Sequence, residues 1–143
     1  MTMHILLVED NPADARLVRE ALAESDFGAE LHWVSSGEAA LAFLRRASAF
    51  VVAPTPDLVL LDLNLPGLRG QEVLDEIKRD PALLSIPVEV LTSSAARQDV
   101  LAAYNSHVNS YMVKPKDYEQ FLALVGTIRA YWLTSVLLPS RVG

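Results

Sequence analysis

Two short apolar runs in this chain end abruptly in carboxylates. Ile5-Leu6-Leu7-Val8 meets Glu9-Asp10, and Leu58-Val59-Leu60-Leu61 meets Asp62. Four apolar residues without alternation describe a strand covered on both faces, as happens when helices flank a parallel sheet. Both runs are followed, after a turn, by segments whose apolar residues recur at helical spacing. Strand and helix thus alternate along the chain, the pattern of an α/β sheet joined by crossover connections.

The first helical segment starts at Asn11-Pro12, repeats Leu17, Val18, Ala21 and Leu22 on one face, and ends between Ser25 and Gly28. Glu30 to Val34 reads as the second strand, and Ser36-Gly37-Glu38 opens a helix with Ala40, Leu41 and Leu44 inward. The stretch from Ala47 to Pro56 is irregular. Its Phe50, Val51 and Val52 suggest either an apolar loop packed on the domain, the plainer expectation, or a surface for another protein. Beyond Asp62, Pro66-Gly67 and Gly70 mark a turn, a third helix spans Gln71 to Arg79, and Asp80-Pro81 stops it. Pro87 to Leu91 is the fourth strand, Ala95 to Tyr104 the fourth helix, and Val108 to Val113 the fifth strand. Asp117 caps the last helix.

With 143 residues, 51% of them hydrophobic, the expectation is one domain over residues 1–143 with a C-terminal extension from about residue 133. The net charge of -6 opposes nucleic-acid binding, which needs clustered Lys and Arg. Cysteine is absent, which removes disulfides, thiolate nucleophiles and Cys-ligated zinc. Met1-Thr2-Met3-His4 leads directly into the first strand and no apolar run reaches bilayer length, so the expected location is the cytoplasm, without membrane contact.

In a doubly wound sheet, functional groups gather beyond the carboxyl ends of the strands. Glu9, Asp10, Asp62, Thr92 and Lys114 all fall at such ends. Neighbouring carboxylates repel one another unless a cation separates them. Hard oxygen donors suit Mg²⁺; His4, His32 and His107 are scattered along the sequence, read as surface or core-edge residues, and suggest no zinc cluster. Phosphoryl transfer to a carboxylate needs an in-line nucleophile and charge neutralisation around the phosphoryl oxygens. Asp62 fits the nucleophile. Mg²⁺ held by Asp10, Asp62 and the Asn64 carbonyl, the Lys114 ammonium, and the Thr92 hydroxyl with backbone N–H groups would each receive one oxygen, while Glu9 acts through water or on Lys114. Singly, each residue has a plainer reading: Asp10 as a helix cap, Asp62 as a turn residue, Thr92 as a strand hydroxyl, Lys114 as a surface cation. Their joint placement at four strand ends favours chemistry.

These residues resemble the receiver-domain family of two-component signalling. The match rests on Glu9-Asp10, Asp62 in LLDLNLPGLRG, Thr92 in VLTSS, Tyr111 and Lys114-Pro115, and covers almost the whole chain. VEDNPADARLVREAL, HVNSYMVKP and RAYWLTSVLLP are similar to the small regulators that serve bacterial and cyanobacterial phytochrome histidine kinases. The resemblance implies a flavodoxin-like five-stranded parallel sheet of order 2-1-3-4-5 with five helices, the last one extended. It further implies phosphorylation at Asp62, metal binding by Glu9 and Asp10, switching through Thr92 and Tyr111, and a Lys114–Pro115 bond that is usually cis in the family. The expected partners are a sensor histidine kinase, a bacteriophytochrome being the candidate, and a histidine phosphotransfer protein. The protein is expected to catalyse only its own phosphorylation and dephosphorylation.

Two rival readings share parts of this pattern. A phosphohydrolase of the haloacid-dehalogenase type also forms an aspartyl phosphate, but uses a second acid two positions after the nucleophile, where this chain has Asn64. A flavodoxin needs a hydroxyl-rich phosphate loop after the first strand, where Glu9-Asp10-Asn11-Pro12 would repel phosphate. The C-terminal segment is unusually apolar. Phe121, Leu124, Val125 and Ile128 can cover the sheet, leaving Trp132, Val136 and Leu137 for a homodimer centred on Trp132, or for a fold-back onto Phe50 and Val51.

Overall fold

In the computed structural model, which describes residues 2–25 and 28–132, the buried runs of the sequence become neighbours in one sheet. Strands β1 (Met3–Val8), β2 (Ala29–Val34), β3 (Leu58–Leu61), β4 (Val88–Thr92) and β5 (Ser110–Val113) pair in parallel in the order β2-β1-β3-β4-β5. Helices α1 (Pro12–Glu24), α2 (Gly37–Leu44), α3 (Gly70–Arg79), α4 (Arg97–Asn105) and α5 (Tyr118–Ala130) make the connections.

Alternation along the strands divides the interior into two cores. On β1, Met3, Ile5 and Leu7 face α1 and α5 and pack with Val18, Leu22, Phe121 and Val125. Leu6 and Val8 face the other way, packing with Val59, Leu61, Leu74 and Ile77 beneath α2 and α3. All four residues of β3 are buried, which is why that run carries no polar alternation.

Local chemistry fixes the helix starts. Asn11, rather than Asp10, caps α1: its Oδ1 accepts from Ala13 N at 2.9 Å, and Pro12 occupies the first turn where no backbone donor is missed. Ser36 caps α2, and Asp117 caps α5 by accepting from Gln120 N at 2.8 Å. The fifth strand begins two residues later than the sequence suggests. Asn109 spends its side chain on Val88 N and its own N–H on Val88 O, anchoring the approach to β5 before the ladder starts.

The irregular segment divides its loyalties. A 3₁₀ turn at Ser48–Phe50 seats Phe50 against Phe43, ring centroids 5.3 Å apart, whereas Val51 and Val52 point to solvent.

Trp132 departs most from the sequence reading. It is 4% exposed and lies in the core with α5, its Nε1 donating to Glu89 Oε1 at 3.0 Å. Trp132 is therefore not the exposed residue that the sequence reading placed at the centre of a homodimer, nor does it rest on Phe50 and Val51: the indole finds a buried acceptor on β4 instead. Val136, Leu137 and the extension from about residue 133 lie outside the described residues.

Candidate functional site

Because β1 sits between β2 and β3, crossovers leave it in opposite directions, and a crevice opens beyond its carboxyl end. Glu9 and Asp10 follow β1, Asp62 follows β3, and the register that pairs Val8 with Leu61 brings them side by side. Each of the three offers a carboxylate oxygen within 4.8 Å of the others. Glu9 and Asp62 are buried and Asp10 is exposed, so the cluster has a closed floor and an open mouth.

Lys114, just beyond β5, reaches into this cluster. Its Nζ donates to Asp62 Oδ2 at 2.9 Å, to Asp14 Oδ2 at 2.9 Å, and to Glu9 Oε1. Lys114 N also donates to Thr92 O at 2.8 Å, tying its backbone to the end of β4. The Lys114–Pro115 bond is trans, as is every peptide bond among the described residues. It is the three carboxylates that aim the ammonium.

The charges respond to these contacts. Burial pushes the Glu9 carboxyl up to about 7; the Lys114 hydrogen bond opposes this and the Asp62 charge adds to it. Burial would push Asp62 up as well, but the Asn64 N–H at 3.0 Å, Lys114 and the Thr92 hydroxyl hold it below its ordinary value. Asp62 is thus kept as a carboxylate, with Oδ1 and Oδ2 fixed by different donors. Burial works against the Lys114 charge, yet its three carboxylate acceptors raise its pKa.

The remaining expected residues frame the site. Thr92 is fully buried at the end of β4. Asn64 is exposed, its backbone N–H bound to Asp62 and its side-chain amide 3.5 Å from Ser93 Oγ. Tyr111 is half-buried and donates to Ser94 O at 2.8 Å, so it grips the loop that leaves Thr92. Gly70 lies behind Asp62: a β-carbon there would overlap the Asp62 carbonyl oxygen and stand 2.5 Å from Leu63 Cα.

The response regulator receiver domain model matches residues 5–126. The chain belongs to the response regulator receiver family. The receiver is 47% identical over 136 residues to response regulator Rcp1 of Synechocystis, covering 95% of this chain and 92% of that one. A crystal structure of the Mn²⁺-bound form of Rcp1 superposes with a TM-score of 0.89, covering 96% of this chain and 99% of that one. The phosphorylated cyanobacterial phytochrome response regulator RcpA, 45% identical, superposes with a TM-score of 0.92 and covers 97% of this chain and 99% of that one. The receiver domain of a Pseudomonas aeruginosa PAO1 sensor histidine kinase, crystallised with magnesium in its active-site cleft, is 27% identical with a TM-score of 0.75, covering 94% of this chain and 100% of that one.

The receiver is accordingly a two-component response regulator with the flavodoxin-like fold, and the phosphohydrolase reading is not favoured. Among the described residues no helix is long and apolar enough to cross a membrane. Sequence reasoning missed Asp14. On its own it reads as a solvent-facing acid in the first turn of α1, and only the fold brings Lys114 to it across 100 residues. It also missed that β1 and β2 bring His4 and His32 into contact.

Proposed function

We propose that this receiver accepts a phosphoryl group on Asp62 from a histidine kinase of the phytochrome class and passes the signal on through its altered surface. The observation that supports this is the buried Asp62 carboxylate held between the Asn64 N–H and the Lys114 ammonium. One oxygen of Asp62 is free to attack when Lys114 moves to a phosphoryl oxygen, and Thr92 stands on the same rim to receive another.

The donor set of Glu9, Asp10 and Asp62 is all carboxylate oxygen, which fits Mg²⁺, with the Asn64 carbonyl as a further oxygen. When bound, the ion supplies charge neutralisation for the phosphoryl group and for the acids themselves. Glu9, hydrogen-bonded to Lys114 and to Asn11 N, orients the ammonium. The proposed reaction set is limited to phosphorylation and dephosphorylation of this chain, since Asn64 offers no carboxyl acid for a leaving group.

Thr92 and Tyr111 are the proposed switch. Tyr111 holds the Ser94 carbonyl, so a movement of Thr92 toward a phosphorylated Asp62 pulls on the same loop. That loop adjoins α4, where Leu101 and Tyr104 are exposed, and these residues offer an apolar patch for the next protein in the relay, a histidine phosphotransfer protein in this reading. We also retain a homodimer through α5, now with exposed Tyr131 in place of Trp132; light scattering reads the mass directly. The setting is cytoplasmic, where kinase catalytic domains are met.

The test is phosphotransfer. A purified phytochrome histidine kinase, labelled by autophosphorylation, should lose its label to this chain with Mg²⁺ present and retain it with chelator. Retention of label under both conditions would reject that kinase class.

A further inference from the structure

A second cluster of metal-ligating side chains lies at the opposite end of the sheet from Asp62. The parallel register pairs His4 of β1 with Glu30 of β2, and His32 follows Glu30 by two residues, so all three side chains share one sheet face. His4 Nδ1 is 3.1 Å from His32 Nε2 and 3.6 Å from Glu30 Oε2, and Glu30 Oε1 is 4.0 Å from His32 Nε2. Their side chains are 29%, 19% and 59% exposed for His4, His32 and Glu30, so solvent reaches the group. The His32 ring also rests on Phe43, centroids 5.4 Å apart, which limits its rotation.

We propose that His4, Glu30 and His32 form a binding site for a divalent transition ion of the Zn²⁺ class, separate from the carboxylate centre. Zinc–imidazole bonds of about 2.0–2.1 Å at tetrahedral angles put the ligand atoms about 3.3 Å apart, close to the spacing these atoms already have. Two imidazoles and one carboxylate make a borderline-soft set suited to Zn²⁺ and poorly suited to Mg²⁺, the reverse of Glu9, Asp10 and Asp62. Three protein ligands leave one position for water. Five residue steps of extended chain lead from His4 to Glu9, about 16 Å along the strand, so the two ions do not compete for ligands. Occupancy ties β2, an edge strand, to β1 and stiffens the sheet where it is otherwise paired on one side.

The untagged full-length chain, titrated calorimetrically with Zn²⁺ in millimolar Mg²⁺ to saturate the carboxylate centre, should bind one ion. Glu30→Gln, an exposed change that leaves the fold intact, and His32→Gln should each weaken this by at least about 10-fold, the scale reached by losing even an outer-shell group. Histidine ring ¹⁵N spectra should show Zn²⁺ shifting His4 and His32 but not His107. Equal Zn²⁺ binding by wild type and both variants would overturn the site. So would unchanged His4 and His32 signals, which would leave the 3.1 Å contact as a simple imidazole hydrogen bond.

Discussion

Lys114 Nζ donates to Asp62 Oδ2 at 2.9 Å across 52 residues of sequence, and it is the cation among three acids that no other described positive group approaches. Removing it leaves Glu9 and Asp62 buried with their charges unanswered. Lys114→Ala is expected to cost about 3 kcal/mol, the usual scale for breaking a buried ion pair from one side. Mg²⁺ then supplies the missing charge without Lys114 to oppose it. Melting curves should show a larger Mg²⁺-induced rise in Tm for the variant than for wild type; an equal rise would mean that Lys114 and the metal do not share these acids.

Two glycines give opposite predictions for the same substitution. Gly70→Ala pushes a methyl group into the Asp62 carbonyl and the Leu63 Cα, and such overpacking costs about 1–3 kcal/mol. Displacement of Asp62 should also slow phosphorylation. Gly126, inside α5, has nothing within 4 Å of a new β-carbon, so Gly126→Ala should stabilise by about 0.5–1 kcal/mol through helix propensity alone. Urea titrations give both signs. Two destabilised variants would contradict the placement of Gly126.

Glu89 predicts a pH dependence. It is buried as the second residue of β4; Oε1 accepts from Trp132, while Oε2 and the adjacent Ser110 hydroxyl lack a well-formed hydrogen bond. Burial raises its pKa above 4.5, with the Trp132 N–H and Ser110 pulling the other way. A carboxyl that holds its proton more tightly when folded contributes fully below the unfolded value and loses that contribution as pH rises through the folded one. Glu89→Gln keeps an acceptor for Trp132 without the charge. It should be more stable than wild type at neutral pH, by about 1 kcal/mol on the scale of one unpaired buried acceptor, with the gap closing as pH falls toward 4.5. A gap independent of pH would contradict the buried ionisation.

The sequence announced the strands because β3, and β1 from Ile5 to Val8, are covered on both faces, leaving His4 as the single polar residue in either strand. Glu9, Asp62, Thr92 and Lys114 were legible as candidates only together: each has a plainer reading alone, but all four fall at the carboxyl ends of strands, where a doubly wound sheet gathers polar groups. Asp14, Glu89 and the His4–His32 contact were not. Each depends on register or on a contact spanning 28 to 100 residues, and each looks ordinary beside its own neighbours. Trp132 misled because an aromatic at the end of a long apolar segment resembles an exposed anchor, and the acceptor that buries it lies 43 residues earlier on another strand.

The central claim, that Asp62 is the phosphoryl acceptor of this site, rests on one carboxylate oxygen within 2.9 Å of Lys114 and another 3.0 Å from the Asn64 N–H. Mass spectrometry of the intact chain and its peptides, after incubation with a small-molecule phosphodonor and Mg²⁺, tests it most directly. The expected result is one phosphoryl group, mapped to Asp62, absent in Asp62→Asn and absent when the metal is chelated. A phosphoryl group gained by Asp62→Asn at the wild-type rate, or one mapped to Glu9, Asp10 or Asp14 in the wild type, would contradict it.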